Sequence, residues 1–247
     1  CDYIFIDFRD FNKAKKYKEE HFKKLVIIDF RDEPNEIFNL PCLKYFKRSV
    51  INKTNMEFVK YNRDVIPISY CIKNQVLEFN KIYNYDRDID ISIFFPPRKD
   101  SWRYRLSVAY FIKENFTDYN IFVGICGSAG EAGRSSIQGK YYEKMFRSKI
   151  VVTCNPNDWE GDYRTWEALS TGTLVFVDTM KTPVINPLLN KKHVIFYDRN
   201  NLSNLKEEIL FYLKNEDQAK KISEEGCNYA LKYHKPSDRI DEILSSL

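Results

Sequence analysis

Arg147-Ser-Lys-Ile-Val-Val-Thr-Cys-Asn-Pro-Asn-Asp-Trp-Glu-Gly-Asp162 runs directly into Tyr163-Arg-Thr-Trp-Glu-Ala-Leu-Ser-Thr-Gly-Thr-Leu-Val-Phe-Val-Asp178. The two halves together read as strand, loop, helix, glycine stop and strand. Lys149–Thr153 and Thr173–Asp178 are short β-branched runs of the kind that fill buried parallel strands. Asp162 stands where a helix N-cap belongs and Gly172 where the left-handed C′ residue belongs, so the helix spans Tyr163–Thr171. Its first turn faces the strand ends and carries free N–H groups and partial positive charge, which suit a diphosphate. Arg164 lies in that turn, where its fork can grip phosphate oxygens. Glu167 follows one turn later on the same side, placed to accept hydrogen bonds from ribose hydroxyls.

The same alternation extends in both directions. Upstream, Ile89–Phe95 is a strand closed by Pro96-Pro97, Trp102–Asn115 a helix, Asn120–Cys126 a strand and Gln138–Arg147 a helix. Downstream, His193–Tyr197 is a fifth strand, and Leu202–Leu247 is helical with Pro236 at a helix start. Five strands alternating with helices give a doubly wound parallel sheet, which binds ligands beyond the carboxyl ends of its strands. Before it, Tyr3–Asp7, Leu25–Asp29, Leu43–Arg48 and Val65–Ser69 read as strands, with helices at Phe11–Phe22 and Cys71–Tyr83. The polar Asn84–Asp88 segment between the two series reads as a linker. The expected division is therefore an α/β protein of two Rossmann-like lobes. A reduced or truncated N-terminal lobe on the acceptor side covers 1–85 and a nucleotide-sugar-binding lobe 86–235. A terminal helix over 236–247 packs back on the first lobe.

The Arg147–Asp178 stretch resembles the donor-site core of GT-B glycosyltransferases. It is most similar to exostosin-like enzymes and related glycosyltransferase-like proteins, in which a strand after Arg/Lys-Ser-Lys leads to an Arg-x-x-Glu-Ala helix and a Gly-x-x-Val strand. The resemblance implies that Glu167 binds the nucleotide ribose and that Arg164 lies near the diphosphate. It also implies a cation at the first strand-to-helix turn of the second lobe. There Phe95-Pro-Pro-Arg-Lys-Asp-Ser-Trp-Arg-Tyr-Arg105 offers Arg105 first and Arg98 second; a solvated basic turn is the plain alternative. The implied activity is transfer of a sugar from a nucleotide diphosphate donor, UDP-sugar favoured, to a glycan hydroxyl, leaning toward inversion. Two departures stand out: Cys1–Tyr83 supplies few strands for a first lobe, and Glu160 falls in the loop before Asp162 rather than at the place of a sugar-contacting carboxylate.

Further donor-site candidates follow from position. Asp158, Trp159 and Tyr163 shape the pocket, with either aromatic able to stack on a ring. Gly124–Gly133 holds four of the eight glycines of the chain, which makes it either a mobile active-site loop with Arg134 as its cation or an incidental flexible loop. Inversion needs a carboxylate to take the acceptor's proton. Asp32 and Glu33, after an apolar strand, are candidates, as is Asp7; capping around Pro34 explains the first two equally well.

Composition excludes several classes. A net charge of +4 with dispersed lysines does not describe a nucleic-acid binder. Six cysteines without CxxC spacing and three isolated histidines, His21, His193 and His234, exclude a structural zinc site and read as reduced residues of a cytoplasmic protein. Asp86-Arg-Asp88 mimics a metal-binding D-x-D but precedes its strand, so no metal and no cofactor beyond the nucleotide-sugar co-substrate is expected. No apolar run reaches the ~18 residues of a membrane span. The chain opens at Cys1 within a strand-like pattern, as a piece of a larger multidomain protein would. The rival reading is a non-catalytic nucleotide- or glycan-binding module with a GT-B-like lobe.

Overall fold

The computed structural model describes residues 2–8, 19–31, 41–50, 65–80, 86–95, 103–124, 139–156, 161–182 and 184–247. Two parallel sheets organise them. The first contains β1 (Ile4–Asp7), β2 (Leu25–Asp29), β3 (Lys44–Lys47) and β4 (Val65–Pro67), in the order β1-β2-β3-β4. The second contains β5 (Ile89–Ile93), β6 (Ile121–Val123), β7 (Ser148–Val152), β8 (Leu174–Asp178) and β9 (Ile195–Tyr197), in the order β6-β5-β7-β8-β9. The helices are α1 (Asn74–Asn80), α2 (Arg103–Asn115), α3 (Gly139–Phe146), α4 (Tyr163–Ser170), α5 (Ser203–Lys214), α6 (Glu216–Tyr233) and α7 (Pro236–Leu244).

Both sheets carry apolar clusters on two faces; β8 is accordingly buried and apolar up to Asp178, whereas β5 keeps Asp90 and Ser92 between its isoleucines. Within β8, Leu174 and Phe176 enter the cluster built with α2 and α5, whereas Val175 and Val177 enter the one built with α1, α3 and α4. In β2 the same two-residue period sends Leu25 and Ile27 to one side and Val26 and Ile28 to the other.

Among the described residues the chain crosses between the sheets twice. Ile68 belongs to the first core and Ile72 and Val76 to the second, so α1, which the sequence groups with the first unit, packs on the second. The return crossing lies between Ala230 of α6 and Ile243 of α7, and Ile243 packs against Val26, Phe46 and Ile68. The Ile72 amide donates to the His234 carbonyl at 2.9 Å, tying the two crossings together. His234 stacks on Trp166 at 4.2 Å, and burial pushes its pKa down to about 3, so it is neutral. Within the described end of the expected linker, Arg87 is half-buried between the exposed Asp86 and Asp88 and donates to the carbonyls of Phe146, Ser148 and Thr171 at 2.6–3.0 Å. These bonds staple the amino edge of the second sheet. Among the described residues, no helix is long and apolar enough to cross a membrane.

Candidate active site

The helix expected to hold the site is set by its ends. Asp162 has extended backbone, and its carboxylate accepts from the Arg164 amide at 2.8 Å and the Thr165 amide at 3.3 Å. At the other end Gly172 takes φ +69°, a conformation that costs any residue with a Cβ. α4 is thereby limited to a little over two turns, and its amino end is pinned over the sheet. Arg164 Nε donates to the Phe94 carbonyl, just past β5, at 2.6 Å. Arg105 Nε, from α2, donates to the Cys154 carbonyl, just past β7, at 2.6 Å. Strands β5 and β7 are neighbours from which the chain leaves to opposite sides, since β6 lies beyond β5 and β8 beyond β7. That is the switch point at which doubly wound sheets open a crevice.

The tip itself is dense. One Asp162 oxygen receives Arg105 Nη2 at 2.5 Å and Arg164 Nη1 at 2.9 Å. Asp162 is 3% exposed and Arg105 7%, so Arg105 braces the cap from within the fold. Burial lowers its pKa and Asp162 opposes the shift; an arginine stays charged regardless. Two guanidinium groups meet one carboxylate at the positive end of a helix, and the local field is positive. Glu167, one turn along, is fully buried and accepts from Tyr141 Oη at 2.7 Å and Tyr142 Oη at 3.5 Å. It faces α3, not open solvent.

The carboxyl edge of the first sheet meets this tip. Asp29, at the end of β2, is fully buried and receives Tyr45 Oη at 2.7 Å, Arg31 Nη2 at 3.0 Å and Lys47 Nζ at 3.5 Å. Burial alone would raise its pKa, but Arg31, Lys47 and Tyr45 together hold it below the usual carboxylate value. Phe30 stacks on Tyr70 at 5.8 Å, and the Arg48 guanidinium covers the Tyr70 ring at 4.3 Å. Tyr70 then stacks on Tyr163 at 3.7 Å, with Lys73 Nζ 4.7 Å from the Tyr163 ring centre. An aromatic column therefore joins the two sheets at the start of α4. Tyr163, one of the two aromatics able to stack on a ligand ring, stacks on Tyr70 of the other lobe.

Of the residues singled out from sequence, Asp162, Tyr163, Arg164 and Arg105 come together, with Glu167 beneath them. Asp7 ends β1, half-buried, on the same edge as Asp29. Asp32, Glu33, Arg98, Arg134, Asp158 and Trp159 lie outside the described residues, as does the glycine-rich loop beyond Gly124. Sequence reasoning missed Asp29, Lys47, Arg48 and Tyr70. The available signal was charge at the carboxyl end of otherwise apolar strands. Asp88 pairs with Arg147 at the opposite edge of the second sheet, and among the described residues no three His, Cys, Asp or Glu side chains are grouped to hold a metal. A cavity of about 580 Å³ also lies on that opposite edge, bordered by Arg87, Lys149, Gly172 and Tyr212.

Residues 117–245 match the model of a family described as glycosyl transferase-like. No curated protein matches the sequence. Among solved structures, a glycosyltransferase from Rickettsia africae ESF-5 aligns with TM-score 0.60 at 12% identity, over 96% of this chain and 78% of that one. An alpha-glucosyltransferase in complex with UDP-glucose and DNA containing an abasic site gives 0.59 at 11%, over 99% and 80%. Sucrose-phosphate synthase from Thermosynechococcus elongatus gives 0.58 at 10%, over 99% and 72%. At such identities the likeness is one of fold, the GT-B arrangement of two parallel sheets.

Proposed function

The chain belongs to the glycosyl transferase-like family, and from that premise we propose that it moves a sugar from a nucleotide diphosphate donor, a UDP-sugar by preference, to a glycan hydroxyl with inversion and without a metal. The observation that carries this reading is the position of the α4 tip at the β5/β7 switch point, with Arg164 and Arg105 both bound to its cap. The acceptor oxygen forms a bond to the anomeric carbon as the bond from that carbon to the diphosphate oxygen breaks. The electron pair leaves with the diphosphate, and the growing charge meets Arg164 and the helix end, an electrostatic task for preorganised donors. Arg105 adds field and rigidity from behind. Arg98 and Arg134 are further candidate phosphate contacts, and Asp158, Trp159 and Tyr163 border the donor. Glu167 reaches the ribose where a ribose hydroxyl takes the place of Tyr141.

The proton of the acceptor goes to a carboxylate of the first lobe: Asp7, Asp32 or Glu33. Asp29 is unsuited, because three donors already occupy it and hold it ionised. Within the family the nearest relationship we propose is to exostosin-like enzymes, on the Arg164-Thr-Trp-Glu167-Ala run. Free thiols at Cys71, Cys154 and Cys227 fit a reducing, cytoplasmic setting. The complex of the alpha-glucosyltransferase with UDP-glucose supports the choice of UDP. The test is release of free nucleotide diphosphate from UDP-, GDP- and dTDP-sugars. Arg164→Ala should weaken donor binding about 10- to 100-fold, the worth of a charge-assisted hydrogen bond. Donor affinity unchanged in that variant removes the site assignment; binding without turnover makes the chain a non-catalytic module.

A further inference from the structure

Asp178 ends β8 on the carboxyl edge of the second sheet and is 1% exposed. One of its oxygens accepts from the Asn155 backbone amide at 2.6 Å and from Asn155 Nδ2 at 3.0 Å, and the other from Arg199 Nη1 at 3.1 Å. Each of these partners leads to the donor site. Asn155 follows Cys154, whose carbonyl anchors Arg105. Arg199, just beyond β9, lies 4.0 Å from the ring centre of Tyr104, the residue before Arg105 on α2. Arg105 then grips Asp162, and Asp162 grips Arg164. We propose that Asp178 is a positioning residue of the donor site: as a carboxylate it fixes the Cys154–Asn155 backbone and the start of α2, and through Arg105 it sets where the Asp162–Arg164 pair stands.

This proposal rests on the donor-site reading above. Burial pushes Asp178 up to about 7, against the pull of the Asn155 amide and Arg199. The other charged or titratable groups around it are Arg199, Arg105, Cys154 and Tyr197. Burial raises the Cys154 thiol and the Tyr197 hydroxyl, so both stay neutral near pH 7, and the two arginines stay charged. Of these groups, among the described residues, Asp178 alone changes charge there. Its Asn155-facing oxygen already takes two donors, so a proton settles on the oxygen facing Arg199. An O–H then opposes an N–H, and the arm through Arg199 lets go.

The probe is UDP-glucose, whose diester phosphates do not titrate near neutrality, bound to the whole chain and followed by calorimetry from pH 8 to pH 6. We expect wild-type affinity to fall about five-fold as Asp178 takes up its proton. Asp178→Asn should bind weakly with no slope. Arg199→Gln removes a charge that favours the carboxylate, so the midpoint should move to higher pH; this variant decides the matter if Asp178→Asn does not fold. Equal wild-type affinity at both pH values, a wild-type slope in Asp178→Asn, or an unmoved midpoint in Arg199→Gln each overturns the proposal. A wild type that binds no UDP-glucose at any pH sinks the donor-site reading itself, and this inference with it.

Discussion

Replacing Asp162 with alanine separates the cap from the ion pairs it anchors. Two effects add. The helix loses an N-cap that accepts the Arg164 and Thr165 amides, typically about 1 kcal/mol. Arg105 loses its carboxylate partner while staying buried, and breaking a buried pair from one side costs about 3–5 kcal/mol. The expected total is roughly 4–6 kcal/mol, a large share of the ~5–15 kcal/mol that holds a typical domain folded. In a protein of this size that corresponds to a midpoint lower by about 10–20 °C. Asparagine caps nearly as well as aspartate, so Asp162→Asn should lose the ion-pair part and keep about 1 kcal/mol more stability than Asp162→Ala. Urea unfolding followed by tryptophan fluorescence suits the measurement, because Trp102, Trp159 and Trp166 all belong to the second lobe by sequence. A loss under about 1 kcal/mol for Asp162→Ala would mean that Arg105 finds water or another partner, and the braced tip described above would be wrong.

Gly172→Ala, at φ +69°, should destabilise by about 1 kcal/mol in the same urea assay, with no effect on donor binding. Tyr70→Ala removes the bridge between Phe30 and Tyr163; we expect faster proteolysis near both crossings and a lower melting midpoint by calorimetry. Asp178 and His234 oppose one another in pH. The raised Asp178 pKa, about 7 against an ordinary 3.8, favours the folded state at low pH, and that advantage, up to ~4 kcal/mol, is lost as pH rises from 4 to 7. The depressed His234 pKa, about 3 against 6.5, works the other way, adding up to ~5 kcal/mol as pH rises from 3 to 6.5. Wild-type stability should thus vary little between pH 4 and 6.5, Asp178→Asn should gain stability with rising pH, and His234→Asn should lose it. Parallel curves for the three proteins in urea would contradict both shifts.

The parts of the site that were legible in sequence are those decided locally. Asp162 and Gly172 mark α4 because a cap needs an acceptor two residues before the amide it serves and a stop needs a residue tolerant of positive φ. The alternation of mainly apolar runs with helical segments pointed to both parallel sheets, since strands buried on two faces favour apolar residues. What was not legible depends on which strands become neighbours. Arg105 sits 57 residues from Asp162 and serves as its brace only because β5 lies beside β7. Nothing in the polar run around Arg87 announces three carbonyls waiting at the edge of the sheet. Tyr70 reads as the residue after a strand, and its place between Phe30 and Tyr163 arises only when the chain crosses from one lobe to the other.

The most direct measurement is the crystal structure of this chain with UDP. The diphosphate should lie beside the start of α4, with at least one oxygen within about 3 Å of the Arg164 guanidinium. Density for UDP in the cavity beside Arg87 and Lys149, or anywhere that leaves Arg164 bonded only to Asp162 and Phe94, would contradict it.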